Sequence, residues 1–186
     1  MKIKVTAPLD KATSVKLKAG DEVLISGEVY TSRDAGHKRM VEQMERGEDL
    51  PFDIKDAIIY YVGPSPNKPG EIIGSAGPTT SYRMDAYTPK LLDSGLSGMI
   101  GKGDRNEAVI QAIIKNKAVY FAAVGGAAAL IADRIVSSEI IAYNDLGTEA
   151  LRRLIVKDFP CIVVIDSDGH NLYKSEKEKY KITNVR

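Results

Sequence analysis

Three short segments set a cation or a run of hydroxyls beside glycine or proline. Arg33 sits in Tyr30-Thr31-Ser32-Arg33-Asp34-Ala35-Gly36-His37, where a strand-forming run gives way to a helix start. A guanidinium there can hold a carboxylate through two parallel N–H···O bonds. The alternative is a structural ion pair with Asp34 or Asp85. Gly77-Pro78-Thr79-Thr80-Ser81-Tyr82-Arg83 offers successive hydroxyls at a predicted helix start, a place suited to anions. Arg83 follows Thr80 by one helical turn and can share its face. The plainer reading is a helix cap made by Thr79 or Ser81. In Gly101-Lys102-Gly103 a tight loop presents a single ammonium, either to a ligand carboxylate or simply to solvent.

Nucleotide readings of this third loop fail on spacing. A phosphate-binding P-loop needs Ser or Thr after the lysine and a glycine five positions before Gly101; the chain has Gly103 and Leu96. The dinucleotide pattern G-x-G-x-x-G needs glycine where Asn106 stands. The run from Ala123 to Ala129 (AVGGAAA) reads as close helix packing more readily than as a phosphate cradle. Neither His37 nor His170 has a placed serine or cysteine nucleophile, and no set of residues has metal-ligand spacing. His37 reads as a cap or packing residue. The lone Cys161 enters an apolar run and reads as inert core. The chain offers cations and hydroxyls but no activating centre.

The elements that must position these loops alternate between β-rich runs and helical stretches, the signature of an α/β domain. Strands are predicted over 23–30, 57–62, around Met99 and Ile100, and over 119–123, 140–143 and 161–165. Helices are predicted from a cap at Ser32 or Asp34 to Gly47, and over 84–92, 106–116, 126–134 and 150–156. A turn follows at Asp166 to Gly169. The 186 residues fit a single domain, with an N-terminal segment over about 1–20 and a charged tail over about 174–186. With 44% apolar residues the chain can bury a core, and a net charge of +1 gives no reason to expect nucleic acid or an anionic membrane. One cysteine excludes a disulfide framework and fits a cytoplasmic setting. The stretch from Val119 to Ala132 is shorter than the ~20 residues needed to span a bilayer. The opening MKIKVTAPLD lacks a secretory apolar region, so a soluble protein is expected.

Read in series, SGEVYTSRDAGHKR (26–39), GPTTSYRMDAYTP (77–89), MIGKG (99–103), AVGGAAAL (123–130) and DFPCIVVID (158–166) resemble a known family. It is that of the β subunits, or C-terminal domains, of class I fumarate hydratases and L(+)-tartrate dehydratases. The resemblance implies a swivelling β/β/α domain similar to the mobile domain of aconitases. It implies a hydro-lyase that interconverts fumarate and (S)-malate. A [4Fe–4S] cluster, held by three cysteines of a partner α subunit, would act as Lewis acid, in a heterodimer or α2β2 assembly. In that reading Arg33, Arg83 and Lys102 grip the substrate carboxylates with Thr79 and Thr80 alongside. Thr79 is the candidate base for the C3 proton, and the acid comes from the partner. This chain holds no metal ligand of its own. The alternatives are a tartrate dehydratase β subunit, an independent enzyme, and a non-catalytic assembly module. Arg83-Met84-Asp85-Ala86-Tyr87 leans toward fumarate.

Overall fold

The computed structural model describes residues 2–123 and 128–179. In chain order the elements are β1 (Ile3–Ala7), α1 (Lys11–Ser14), β2 (Glu22–Thr31), α2 (Asp34–Glu45), β3 (Ile58–Tyr60), α3 (Thr88–Asp93), β4 (Gly98–Gly101) and α4 (Glu107–Asn116). They continue as β5 (Val119–Ala123), α5 (Ala128–Ala132), β6 (Ile135–Ala142), β7 (Leu151–Ile165) and α6 (Leu172–Lys179). Short 3-10 turns cover Ser81–Met84 and Asn144–Glu149.

Strands β2, β3, β4 and β5 pair in parallel, as a chain alternating strands and helices requires. The long β7 runs antiparallel to β5 on one side and to β2 on the other, closing the sheet into a barrel-like ring. β1 extends the ring alongside the first half of β2, and β6 flanks the first half of β7. The residues set apart as an N-terminal segment thus supply a paired strand, and part of the charged tail is helix α6. The expected small-residue helix is described only as α5, its first residues, 126 and 127, lying outside the described residues.

Alternation along the strands sorts the side chains into two cores. Val5, Ile25, Val29, Ile58, Tyr60, Ile100, Phe121, Leu154, Phe159 and Cys161 form one cluster, from strands all round the ring. Ile59, Tyr61, Met99 and Tyr120, of opposite parity, meet Met40 of α2, Leu91 of α3 and Val109 and Ile113 of α4. One face of the parallel strands is therefore filled by strands and the other is covered by helices.

The helix expected over 150–156 is instead part of the fifteen-residue strand β7. Leu151, Leu154 and Ile155 imitate helical spacing. The buried positions Leu154 and Val156 alternate with exposed Ile155, and pairing with β2 and β6 on both edges decides the outcome. A break in the β2–β7 register lies beside Gly27, at φ +118°, where a Cβ would stand 2.2 Å from the Ala7 carbonyl oxygen. The single helix expected over 84–92 is also broken, into a 3-10 turn and α3. Pro89 at the start of α3 lacks the N–H that a helix continuing from Met84 would need.

Candidate active site

Chain leaving the ends of β2, β3 and β4 builds one open face. After β2, the Ser32 N–H donates to the Tyr60 carbonyl at 3.1 Å, carrying the chain across the end of β3. Arg33 is extended (φ −123°, ψ −157°) and forms the N-cap of α2 without a side-chain cap bond. Neither Ser32 nor Asp34 caps this helix. Glu149, from the turn before β7, does so by accepting the Ala35 N–H at 2.9 Å. A carboxylate distant in sequence outcompetes the local hydroxyl, because the Ser32 hydroxyl is engaged 2.9 Å from His37 Nδ1.

The Arg33 side chain lies over Gly63, where an added Cβ would come within 2.7 Å of Nη1. Its nearest carboxylates are Asp34 at 3.8 Å and Glu149 at 3.7 Å, too far for hydrogen bonds, and Nε is buried without a partner. A structural pair with Asp34 is therefore loose, and one with Asp85 is absent. The guanidinium keeps unused donors.

Past β3, the Thr79 N–H donates to the Tyr61 carbonyl at 2.7 Å. Thr80 forms a parallel bridge with Lys102, and the Ser81 N–H donates to the Lys102 carbonyl at 2.9 Å. The threonine pair is thus laid like a short strand between the ends of β3 and β4. Thr80 is the N-cap of the 3-10 turn but makes no side-chain cap bond. Ser81 accepts the Lys102 N–H at 3.1 Å, and its hydroxyl lies 2.8 Å from that of Tyr120. The capping alternative for Thr79 or Ser81 therefore falls away. Both threonines are half-buried, and their hydroxyls make no hydrogen bond among the described residues.

Arg83 Nε donates to Asp34 Oδ1 at 2.7 Å, tying the second loop to the first through a carboxylate that also faces Arg33. Lys102 is exposed and has no ion pair among the described residues. The bridges Thr80–Lys102 and Arg83–Asp34 thereby bring Arg33, Thr79, Thr80, Arg83 and Lys102 to one end of the sheet. The clefts lined by Gly70 to Ser75 with Asp133, and by Met44, Leu50 and Phe52, include none of them.

Gly101 is what lets the second and third loops meet. A Cβ there would stand 2.0 Å from Ser81 Oγ and 3.0 Å from Tyr61 Cδ2. Gly101→Ala should push the Ser81 segment off Lys102 and destabilise the fold by about 1–3 kcal/mol, as overpacking does, which is several degrees in melting temperature. Thermal unfolding checks this; an unchanged melting temperature would contradict the packing.

Beneath the face lies a polar cluster with no spacing signal of its own, although its acid and base fall within or beside the quoted motifs. Arg105 is fully buried and donates through Nε to Asp85 Oδ1 at 2.6 Å and through Nη2 to Thr88 Oγ1 at 2.8 Å. Its guanidinium carbon is 5.3 Å from the Tyr61 ring centre and 5.0 Å from that of Tyr120. Asp85 Oδ2 accepts the Asn106 N–H at 2.7 Å, while Asn106 Oδ1 caps α4 through the Val109 N–H at 2.9 Å.

His37 is a packing residue rather than part of the face. It is buried edge-on to Tyr61, with Nδ1 2.9 Å from the Arg33 carbonyl and Nε2 unpaired. Burial lowers its pKa from 6.5 to about 4. The unfolded chain therefore takes up this proton first as pH falls. The stabilisation is complete above about pH 6.5 and is lost on descending toward pH 4. Denaturant titrations should show stability falling by up to about 1.4 kcal/mol per pH unit in that window, and a flatter slope in His37→Gln.

The donor set does not fit an iron–sulfur cluster. Cys161 is buried between strands, and burial pushes its thiol pKa up, away from the thiolate a cluster requires. Asp166, Asp168 and His170 converge, but the Asp166 carboxylate already accepts the N–H groups of Ala19, Asp168 and His170. Asp168 pairs with Lys18 and Lys117. That group closes a turn.

The face gathers three cations and two hydroxyls, and among the described residues no nucleophile–base pair is seen. Residues 1–176 match the family model described as the fumarase C-terminus. The chain belongs to this family. It is 38% identical over 152 residues to the aerobic class I fumarate hydratase of Salmonella typhimurium, covering 81% of this chain and 26% of that protein. Fumarate hydratase 2 of Leishmania major is 35% identical over 177 residues, covering 93% of this chain and 31% of that protein. A Methanocaldococcus jannaschii protein provisionally named L(+)-tartrate dehydratase subunit beta is 36% identical over 177 residues, covering 92% of this chain and 91% of that one. The chain thus spans between a quarter and a third of these fumarate hydratases but nearly all of the archaeal subunit. Among the described residues no helix is long and apolar enough to cross a membrane.

Proposed function

We propose that this chain is the β subunit of a class I-type hydro-lyase that reversibly hydrates fumarate to (S)-malate. It acts as a swivelling domain in the cytoplasm and joins a cluster-bearing α subunit across its open face. The observation that carries the reading is Arg33, whose guanidinium is fixed over Gly63 with no carboxylate at hydrogen-bond distance. A cation so held is pre-organised for a ligand carboxylate.

In this reading Arg33 and Lys102 take carboxylate oxygens of the dianion. Arg83 exchanges its bond to Asp34 for substrate or orients Asp34 against Arg33. Thr79 and Thr80 present their free hydroxyls to the carbon chain between the carboxylates, and Thr79 accepts the C3 proton. A neutral hydroxyl is a weak base, so Thr79 takes up the C3 proton only as it releases its own hydroxyl proton to water, a relay whose alkoxide character the flanking cations favour. In this reading the proton donor and the [4Fe–4S] cluster belong to the α subunit; the lone cysteine, Cys161, is buried with its thiol pKa pushed up.

The archaeal relative, matched along nearly its whole length, favours a second reading in which the substrate is L(+)-tartrate, dehydrated to oxaloacetate. Anaerobic assay of the reconstituted pair with malate and tartrate separates the two. Malate should be dehydrated faster; tartrate turning over much faster would sink the fumarate assignment. Full specific activity after removal of Arg33 would reduce the chain to an assembly module.

A further inference from the structure

The Ser81 hydroxyl is buried below the proposed site and touches no substrate-facing group, yet it joins three parts of it. It follows Thr80 directly, accepts the Lys102 N–H at 3.1 Å, and lies 2.8 Å from the Tyr120 hydroxyl. Tyr120 lies on β5, and its hydroxyl also stands 2.8 Å from the Gly103 carbonyl, on the far side of Lys102. The Gly103 N–H in turn donates to the Tyr173 hydroxyl at 3.1 Å. Lys102 therefore rides on a loop whose backbone is gripped on both flanks by hydroxyls. Gly101 leaves room for this grip and for nothing larger.

The Tyr120 ring is held from behind by Arg105, which Asp85 and Thr88 fix in place. Asp85 immediately follows the turn that carries Arg83. One buried chain of contacts thus runs from the segment of Thr80 and Arg83, through Arg105 and Tyr120, to the loop of Lys102. Its members are nearly all satisfied and fully buried, the condition under which a polar network specifies one geometry.

We propose that Ser81 and Tyr120 are positioning residues that set the Lys102 ammonium in register with the threonine pair. The inference rests on the dicarboxylate reading of the face. Deleting either hydroxyl leaves the surface cations in place but frees the Lys102 backbone. The loss should appear in substrate binding and should act only through Lys102.

The test is a double-mutant cycle in the reconstituted α–β enzyme. Ser81→Ala and Tyr120→Phe are each measured alone and in a Lys102→Ala background, with kcat, KM and melting temperature recorded. The expected result is a loss of about tenfold in kcat/KM for Ser81→Ala, carried mainly by KM, with a smaller loss for Tyr120→Phe. Both losses should vanish in the Lys102→Ala background, while the melting temperature moves by no more than a few degrees. Losses that persist undiminished without Lys102, or no loss in either single variant, would overturn the positioning role. If Ser81→Ala fails to fold, the Tyr120→Phe pair decides by the same criterion. Full activity in Lys102→Ala alone would instead contradict the dicarboxylate reading itself.

Discussion

In the reconstituted enzyme of the proposed reading, Arg33→Ala is expected to lower kcat/KM for fumarate hydration roughly a thousandfold, while the chain should still fold and still associate with its partner. The size follows from removing a charge-assisted, largely desolvated contact to a carboxylate, which costs about 2–5 kcal/mol or more. Folding survives because Arg33 contributes little to it: its carboxylate neighbours stand at 3.7 and 3.8 Å and none accepts a hydrogen bond from it. Arg33→Lys should recover only part of the loss, since an ammonium cannot reproduce two parallel N–H donors. Steady-state kinetics with size-exclusion chromatography of the complex checks both parts. Wild-type kinetics, or loss of association with normal activity in what remains, would remove Arg33 from the site.

Asp85→Ala has the largest expected effect on stability. It strips the partner from a guanidinium with no exposed surface and leaves the Asn106 N–H at the start of α4 without its acceptor. Breaking one side of a buried pair costs about 3–5 kcal/mol, which in a chain of this size is roughly 10 °C in melting temperature. Replacing Arg105 and Asp85 together by methionine and leucine should restore much of that stability, because no unpaired buried charge remains. The double variant should nevertheless stay impaired in catalysis, since Arg105 also backs the ring of Tyr120. Calorimetry of the two variants against the wild type makes the comparison. Equal stability of Asp85→Ala and wild type would show that the pair is not the anchor described here.

What the sequence revealed and what it concealed follow from the range of the interactions involved. Arg33, Thr79, Thr80, Arg83 and Lys102 could be singled out as candidates because each lies in a segment that also carries glycine or proline and follows a β-rich run. A parallel array brings such run ends to one edge. The meeting of those loops was not legible: it depends on the Thr80–Lys102 bridge and the Arg83–Asp34 pair, contacts with no local pattern. The same holds for the cap of α2, supplied by Glu149 from across the fold. Leu151, Leu154 and Ile155 misled because apolar spacing over so short a run fits a helix as well as a strand, and pairing on both edges of β7 resolved it. Asp85 could be named only as a possible partner of Arg33, and Arg105 carried no signal of its own, since only their mutual contact makes burial tolerable.

The most direct test is fumarate hydration measured anaerobically for this chain alone, for its cluster-bearing partner alone, and for an equimolar mixture. A cationic face without an activating centre predicts no turnover from either component and full turnover from the mixture. Turnover by the isolated chain, or a mixture that associates yet hydrates no dicarboxylate, would contradict the shared-site account.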